Sequence, residues 1–82
     1  MAKTVIPPTV DTQVHAGGVT GVIIANGGSS IMHLNTTAPS TAGGAIELQS
    51  GDSVAMEPGS PWAASDWYAW SDVGTVCVTT EV

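Results

Sequence analysis

The second half of the chain, residues 46–81, alternates apolar and polar residues in short runs, and turn-forming residues separate these runs. Residues 49–52 (Gln-Ser-Gly-Asp) and 58–61 (Pro-Gly-Ser-Pro) are two such turns. A period of two residues is typical of half-buried β-strands, because successive side chains of a strand point to opposite faces. The pattern predicts a meander of short strands with little loop left for an active site, which favours a structural or binding module over an enzyme.

The rest of the composition also favours strands over helices. Val, Ile and Thr are plentiful, strong helix formers are scarce, and Gly or Pro interrupts nearly every stretch. This predicts an all-β fold, a small jelly-roll-like β-sandwich of about seven or eight short antiparallel strands. The predicted strands cover residues 12–16, 20–25, 30–35, 45–49, 53–57, 66–70 and 75–81, with hairpin turns at 26–28 and 71–74 and a flexible surface loop at 36–44.

A chain of 82 residues is expected to hold a single domain, here a sandwich over residues 12–82. Residues 1–11 are predicted to form an extended N-terminal arm, because Pro7 and Pro8 remove two backbone donors and exclude this segment from a central strand. Such an arm can lie across a neighbouring subunit. A tail that packs on its own domain is the alternative.

The small size of the domain predicts association. A domain of this length gains only about 3–5 kcal/mol from its own core, and disulfides, a metal or a partner subunit usually supply the rest. Cys77 is the single cysteine and cannot form an internal disulfide, and two histidines without a cysteine cluster do not fit a structural zinc site. Contact with other copies of the chain is therefore expected.

The charge balance limits the partners. Lys3 is the only basic residue beside seven acidic ones, and the net charge is −6. One cation cannot neutralise a phosphate backbone or an anionic membrane surface, so neither nucleic acid nor a membrane is an expected partner. The sequence shows no secretory signal and no apolar run of about 18 residues, so we expect synthesis in a cytoplasm.

The residues with catalytic potential are His15, His33 and Cys77. None of them lies in a sequence motif typical of a catalytic or metal site. No H-x-H, H-E-x-x-H or C-x-x-C spacing occurs. Cys77 has no basic neighbour in sequence to lower the pKa of its thiol, so it is predicted to be a small buried residue. The histidines are predicted to bond to backbone or to lie at a subunit contact. No cofactor and no catalysis are expected; a cupin-like metal site with both histidines is the enzymatic alternative.

The large rings are concentrated in one segment of a chain that lacks Phe. In a strand over residues 66–70, Trp67 and Ala69 point to one face, and Tyr68 and Trp70 point to the other. One set can fill the core, while the other is exposed or covered by another chain. Exposed large rings are typical of protein interfaces and of sugar-stacking platforms. The predicted interface combines the arm with these rings: Val5, Ile6, Pro7, Pro8, Trp62, Trp67, Tyr68 and Trp70.

Residues 21–81 resemble small virion proteins of tailed bacteriophages in the order and spacing of four segments. These segments are Ile23-Ile24-Ala25-Asn26, the I-x-L-x-x-G-x-S-V run over residues 46–54, Trp67-Tyr68-Ala69, and the G-T-V-x-V-x-x-E run over residues 74–81. The chain departs from the usual pattern of these proteins in its number of tryptophans and in its proline-bearing N-terminal segment.

The resemblance implies a β-sandwich subunit of a virion, often a capsid decoration (cement) protein. Such a protein binds and stabilises the major capsid protein lattice, commonly as a homotrimer. It is made in the host cytoplasm and ends on the capsid surface. The alternative is a glycan-binding module of a head or tail fibre that stacks host glycan on Trp62, Trp67 or Trp70.

Overall fold

The computed structural model describes residues 2–36 and 46–82, which form two four-stranded antiparallel sheets. The sheets pack face to face around one core, so the predicted all-β sandwich is confirmed. Six of the eight strands lie within segments that the sequence predicted, and β3 extends one residue beyond its predicted segment, to Asn26. The strands are β1 (Ala2–Ile6), β2 (Thr12–His15), β3 (Val22–Asn26), β4 (Met32–Asn35), β5 (Ile46–Leu48), β6 (Ser53–Met56), β7 (Trp67–Trp70) and β8 (Thr75–Glu81).

The strand order is that of a jelly roll. Sheet A has the order β1-β8-β3-β6, and sheet B has the order β2-β7-β4-β5. The first strand pairs with the last, the second with the seventh, the third with the sixth, and the fourth with the fifth. This pattern is one long hairpin rolled into two sheets, and the β3–β8 and β4–β7 pairings complete them.

The predicted meander and two predicted hairpins are wrong. Residues 26–28 connect β3 to β4 and residues 71–74 connect β7 to β8, and each connection passes from one sheet to the other. Among the eight described strands, β4 and β5 are the only consecutive pair within one sheet. The same residue types permit a tight turn in a hairpin and a crossing between sheets, so the sequence signal does not separate the two.

The turn at residues 49–52 is confirmed, although it also connects the two sheets. The backbone N–H of Asp52 donates to the carbonyl of Gln49 at 3.0 Å, and Gly51 has a φ of 84°. This φ lies in the left-handed region, which favours glycine at that place in the turn.

The predicted N-terminal arm is wrong for residues 2–6, which form β1 at the edge of sheet A. β1 pairs along its length with β8, from Ala2 opposite Thr79 to Ile6 opposite Thr75. The strand ends before Pro7, as the missing backbone donors require. The prolines limited the segment to an edge, but an edge strand of the same domain satisfies that limit as well as an arm does. Residue 1 and positions 37–44 of the predicted loop lie outside the described residues.

Both sheets contribute alternate residues to the core. Glu47 points outward while its neighbours Ile46 and Leu48 point inward, as predicted from the alternation. In β7, Trp67 and Ala69 fill the interior, and Trp67 is the largest fully buried side chain. The buried apolar residues are Ile6, Val22, Ile24, Met32, Leu34, Leu48, Met56, Ala63, Trp67, Ala69 and Cys77.

The side-chain amide of Asn26 lies at one end of the sandwich, and all of its donors and acceptors form hydrogen bonds. Its Nδ2 donates to the carbonyls of Ser30 at 2.6 Å and Leu48 at 2.9 Å. Its Oδ1 accepts from the backbone N–H of Gly28 at 3.1 Å and from the Thr75 hydroxyl at 2.7 Å. Asn26 is 1% exposed, so this buried side chain ties together segments from both sheets.

Close packing at the same end of the sandwich requires a glycine at position 28. A Cβ atom at this position would collide with the Thr75 hydroxyl and would lie 2.9 Å from the backbone nitrogen of Val76. The glycine therefore permits close approach of two backbones, which is a different role from the hairpin turn that the sequence predicted.

Candidate binding surfaces

The outer face of sheet A is formed by small aliphatic side chains. In register across the strands, Val5 lies opposite Val76, and Val78 lies opposite Ala25. Ile23 lies opposite Ala55 on the next strand. We call the surface of these six residues (Val5, Ile23, Ala25, Ala55, Val76 and Val78) the aliphatic face.

The aliphatic face carries no acidic side chain, although the chain has seven acidic residues. The outward positions of the four strands of sheet A hold Ser53, Thr80 and Lys3 besides the aliphatic residues. Lys3 lies opposite Val78 and is the only basic residue of the chain. The acidic side chains of this strongly acidic molecule thus lie outside the aliphatic face.

The outer face of sheet B has a different chemistry. Tyr68 lies between Gln13 and Asn35 in one row of the sheet. Trp70 lies opposite His33 in the next row, and Glu47 follows His33. We call the surface of these six residues (Gln13, His33, Asn35, Glu47, Tyr68 and Trp70) the aromatic face.

Two contacts join neighbouring side chains in the row of Trp70, His33 and Glu47. The rings of His33 and Trp70 have centroids 5.8 Å apart and are tilted by 53°. Nδ1 of His33 lies 4.0 Å from a carboxylate oxygen of Glu47. The row therefore presents an indole, an imidazole and a carboxylate side by side on the surface.

A recess of about 420 Å³ lies at the end of the aromatic face. Ile31 and Asp72 continue the outward alternation of β4 and β7 by one step beyond His33 and Trp70. The recess is lined by Ser30, Ile31, His33, Ser71, Asp72 and Val73. Its wall combines aliphatic carbon with hydroxyl and carboxylate oxygens.

The two histidines lie on opposite faces of sheet B. His15 is buried, and its Nε2 lies 2.8 Å from the carbonyl of Ala63. A carbonyl only accepts, so Nε2 carries the proton and donates it. His15 is the backbone-bonded strand histidine that the sequence predicted, whereas His33 is on the outer surface. Within residues 2–36 and 46–82, no three His, Cys, Asp or Glu side chains are grouped to hold a metal.

Cys77 is fully buried in β8, as predicted. Burial raises the pKa of its thiol to about 12, because the thiolate would lose its hydration in the core. The thiol therefore stays protonated and acts as a small apolar side chain.

The structure separates the eight predicted interface residues. Val5 is 71% exposed on the aliphatic face, and Pro7 and Pro8 are exposed in the connection that follows β1. Tyr68 and Trp70 are partly exposed on the aromatic face.

Two of the predicted interface residues are wrong, because their side chains point into the core. Ile6 is 1% exposed, and Trp67 is 0% exposed and donates from Nε1 to the carbonyl of Trp62 at 2.8 Å. The predicted glycan platform therefore loses Trp67, since a buried ring cannot stack on a ligand. For Trp67, alternation in the sequence gave two possible faces without fixing which was inside, whereas Ile6 was assigned to the interface as part of the predicted arm.

Trp62 occupies a third surface, at the open edge between β5 and β6. It is 57% exposed, and its ring stacks on Trp67 with centroids 5.8 Å apart. It borders an apolar cleft of about 170 Å³ with Ile46, Val54, Ala55 and Met56. Trp62 and Trp70 thus lie on different surfaces and do not form a single platform.

Sequence reasoning missed the aliphatic face and the polar members of the aromatic face. Ile23, Val76 and Val78 look like core residues by type, and their outward direction follows only from the pairing of β3 with β8. Comparison of the chain with protein-family models, with curated proteins and with solved structures found no match. The described residues include no helix long and apolar enough to span a membrane.

Proposed function

We propose that this protein is a bacteriophage virion structural protein, a capsid decoration subunit that binds the major capsid protein and associates with itself, as a homotrimer. The observation that carries the proposal is the aliphatic face, an apolar surface without acidic residues on a chain of net charge −6. The sequence resemblance to small phage virion proteins and the jelly-roll fold support the same function.

The small size of the domain makes association stabilising. A domain of 82 residues has a small core of its own, so binding to copies and to a lattice adds stability in proportion to affinity and concentration. The central part of a protein interface is depleted of charged residues. The aliphatic face fits that requirement, and the acidic residues elsewhere keep the free subunit soluble.

The edge of sheet A adds a second means of association. β1 pairs with β8 on one side, and its other side has no strand partner among the described residues. An extended segment of a neighbouring chain can add to such an edge through main-chain hydrogen bonds. Val5 on β1 continues the aliphatic face to this edge, so both contacts would use one side of the molecule.

The test compares two substitutions that each add one carboxylate to an outer face. Val78→Glu places it in the middle of the aliphatic face, and Gln13→Glu places it on the aromatic face at the other side of the sandwich. Light scattering during size-exclusion chromatography measures the oligomeric state of each variant, and circular dichroism confirms its fold. We expect a trimer for the wild type and for Gln13→Glu, and a folded monomer for Val78→Glu.

Mass spectrometry of purified phage particles from the source of the gene tests the location. The proposal requires the protein in intact particles, and re-addition of the purified chain to particles stripped of it should restore binding for Gln13→Glu but not for Val78→Glu. A monomeric wild type that is absent from particles would refute the proposal.

A further inference from the structure

We propose that the aromatic face and the adjoining recess bind an uncharged glycan, with one sugar ring stacked on Trp70. This activity is separate from the proposed lattice contact, because it uses the outer face of the other sheet. Of the three tryptophans that the sequence offered as a platform, the proposal keeps Trp70 alone, since Trp67 is buried and Trp62 lies on a different surface.

The first support is the placement of two rings on the same face of sheet B. Tyr68 and Trp70 are alternate residues of the central strand β7, so their rings project from the same side of sheet B. Alternate residues of a strand are about 7 Å apart. The C–H groups of a pyranose ring pack on the face of an aromatic ring, and two such rings in line can contact successive units of one chain.

The second support is the set of polar groups that flank the rings. Gln13 and Asn35 lie on the two sides of Tyr68 and carry amides, which donate and accept at once. The Oδ1 of Asn35 accepts from the N–H of Thr36 at 2.8 Å, which fixes the amide and leaves its NH₂ group to donate. His33 lies beside Trp70 and Glu47 lies beyond His33, so this row adds a ring nitrogen and a carboxylate on one side of Trp70. Paired donors and acceptors suit the neighbouring hydroxyl groups of a sugar.

The recess gives the surface an open, concave place beside Trp70 where a ligand can be seated. Its volume of about 420 Å³ falls within the range of about 300–1,000 Å³ found for small-ligand sites. Ile31 and Val73 offer apolar contact, while Ser30 and Asp72 offer oxygens that bind hydroxyl groups. The recess follows Trp70 along the direction of β7, so the site is longer than one sugar unit.

The charges select a neutral ligand. Glu47 and Asp72 place carboxylates at the face and in the recess, and the only basic residue, Lys3, lies on the outer side of sheet A. An anionic sugar or a phosphate would meet repulsion without a compensating cation. Neutral hexose or N-acetylhexosamine chains are therefore the expected class, and sialylated or uronic acid polymers are not.

The experiment uses the full chain and a defined panel of probes. The neutral probes are hexasaccharides of glucose, galactose, rhamnose and N-acetylglucosamine, and the acidic probes are oligogalacturonate and oligosialic acid. Binding is measured by titration calorimetry for the wild type, Trp70→Ala and Trp62→Ala. Trp62→Ala is the matched control, because it removes an exposed indole from a different surface.

We expect at least one neutral probe to bind. Trp70→Ala should weaken its binding by roughly tenfold or more, as loss of a stacked ring implies, and Trp62→Ala should leave it unchanged. Val78→Glu should also bind with unchanged affinity, which separates this activity from association through the aliphatic face.

Chemical shift mapping on the wild type keeps the test independent of whether Trp70→Ala folds. The bound neutral probe should shift the indole N–H of Trp70 and the amides of Tyr68, His33 and Ile31. The proposal is overturned if no neutral probe binds, if the acidic probes bind more tightly, or if the shifts centre on Trp62 or on the aliphatic face.

Discussion

The two sheets of this sandwich have similar inner faces and contrasting outer faces. Inside, both contribute tightly packed apolar residues such as Ile24 from sheet A and Leu34 from sheet B. Outside, sheet A presents only aliphatic and small polar side chains with one cation, whereas sheet B presents two large rings among amides, an imidazole and a carboxylate.

The contrast shows which residues the fold itself determines. In a strand, alternate positions face the core, and packing limits them to apolar side chains of suitable volume. The outward positions are free of that constraint, and a soluble domain would ordinarily fill them with mixed polar residues. The outer face of sheet A is instead mostly aliphatic, and the outer face of sheet B carries two large rings. We infer that these two differences from a mixed polar surface reflect binding of two different kinds of partner.

The largest expected effect comes from comparing two asparagines, Asn26 in the interior and Asn35 on the aromatic face. Asn26→Ala removes four hydrogen bonds of a buried side chain and leaves the Leu48 carbonyl and the Thr75 hydroxyl without this partner in the interior. Asn35→Ala removes an amide from the aromatic face. We expect Asn26→Ala to lower the free energy of unfolding by about 3–5 kcal/mol, and Asn35→Ala to lower it by less than about 1 kcal/mol.

Urea denaturation followed by circular dichroism measures both free energies of unfolding. If Asn26→Ala is too unstable to give a folded baseline, its loss of fold beside a folded Asn35→Ala makes the same point. Equal and small effects of the two substitutions would show that the Asn26 network does not hold the sheets together.

The second expected effect concerns the inward side of β8. Burial raises the pKa of Cys77 to about 12, whereas the thiol of the unfolded chain ionises near its ordinary value of about 8.5. Above that pH the unfolded state loses a proton that the folded state keeps. The free energy of unfolding should therefore be unaffected below about pH 8 and fall by about 1.4 kcal/mol per pH unit above about pH 9, until the folded pKa is reached.

Cys77→Ala provides the matched control, since it lacks the titrating group. Its stability is lower at neutral pH because a buried sulfur is lost, but its alkaline slope should be flatter than that of the wild type by the stated amount. Identical slopes for the two proteins between pH 9 and 11 would contradict the burial of a protonated thiol.

The positions of seven strands were predictable from local signals, while the pairing of those strands was not. Alternation assigns a residue to one of two faces, and turn residues mark where a strand ends, but neither signal names the neighbouring strand. The run Asn26-Gly27-Gly28 illustrates the limit, because it has the composition of a hairpin turn. In the fold, Asn26 is a buried link and Gly28 admits Thr75.

The candidate surfaces were partly predictable for the same reason. Alternation correctly placed Tyr68 and Trp70 on the face opposite Trp67 and Ala69, but it could not show which pair was inside. The aliphatic face was not predictable, since Ile23 belongs to a strand that is apolar on both faces, and Val76 and Val78 are the most apolar residues of β8. Such strands resemble fully buried ones in sequence, and only the sheet order shows that one of their faces is open.

The smallest expected change in the free energy of unfolding belongs to a substitution that tests the aliphatic face directly. Val76→Thr exchanges a methyl for a hydroxyl on that face, and Val22→Thr makes the same exchange at a residue that is 1% exposed in the core. The inward hydroxyl loses its hydrogen bonds to water and should cost about 1–3 kcal/mol. The outward hydroxyl of a dilute, unassociated subunit keeps them, so the expected change in the free energy of unfolding is less than about 0.5 kcal/mol.

Association should respond in the opposite order to folding. Under the proposed association, Val76→Thr would bury its hydroxyl at the contact between subunits and should raise the dissociation constant by roughly tenfold, which sedimentation equilibrium measures. Val22→Thr should leave that constant unchanged for the molecules that remain folded. If Val76→Thr destabilises the isolated subunit as much as Val22→Thr does, the outward valine serves the core and the aliphatic face is not an interface.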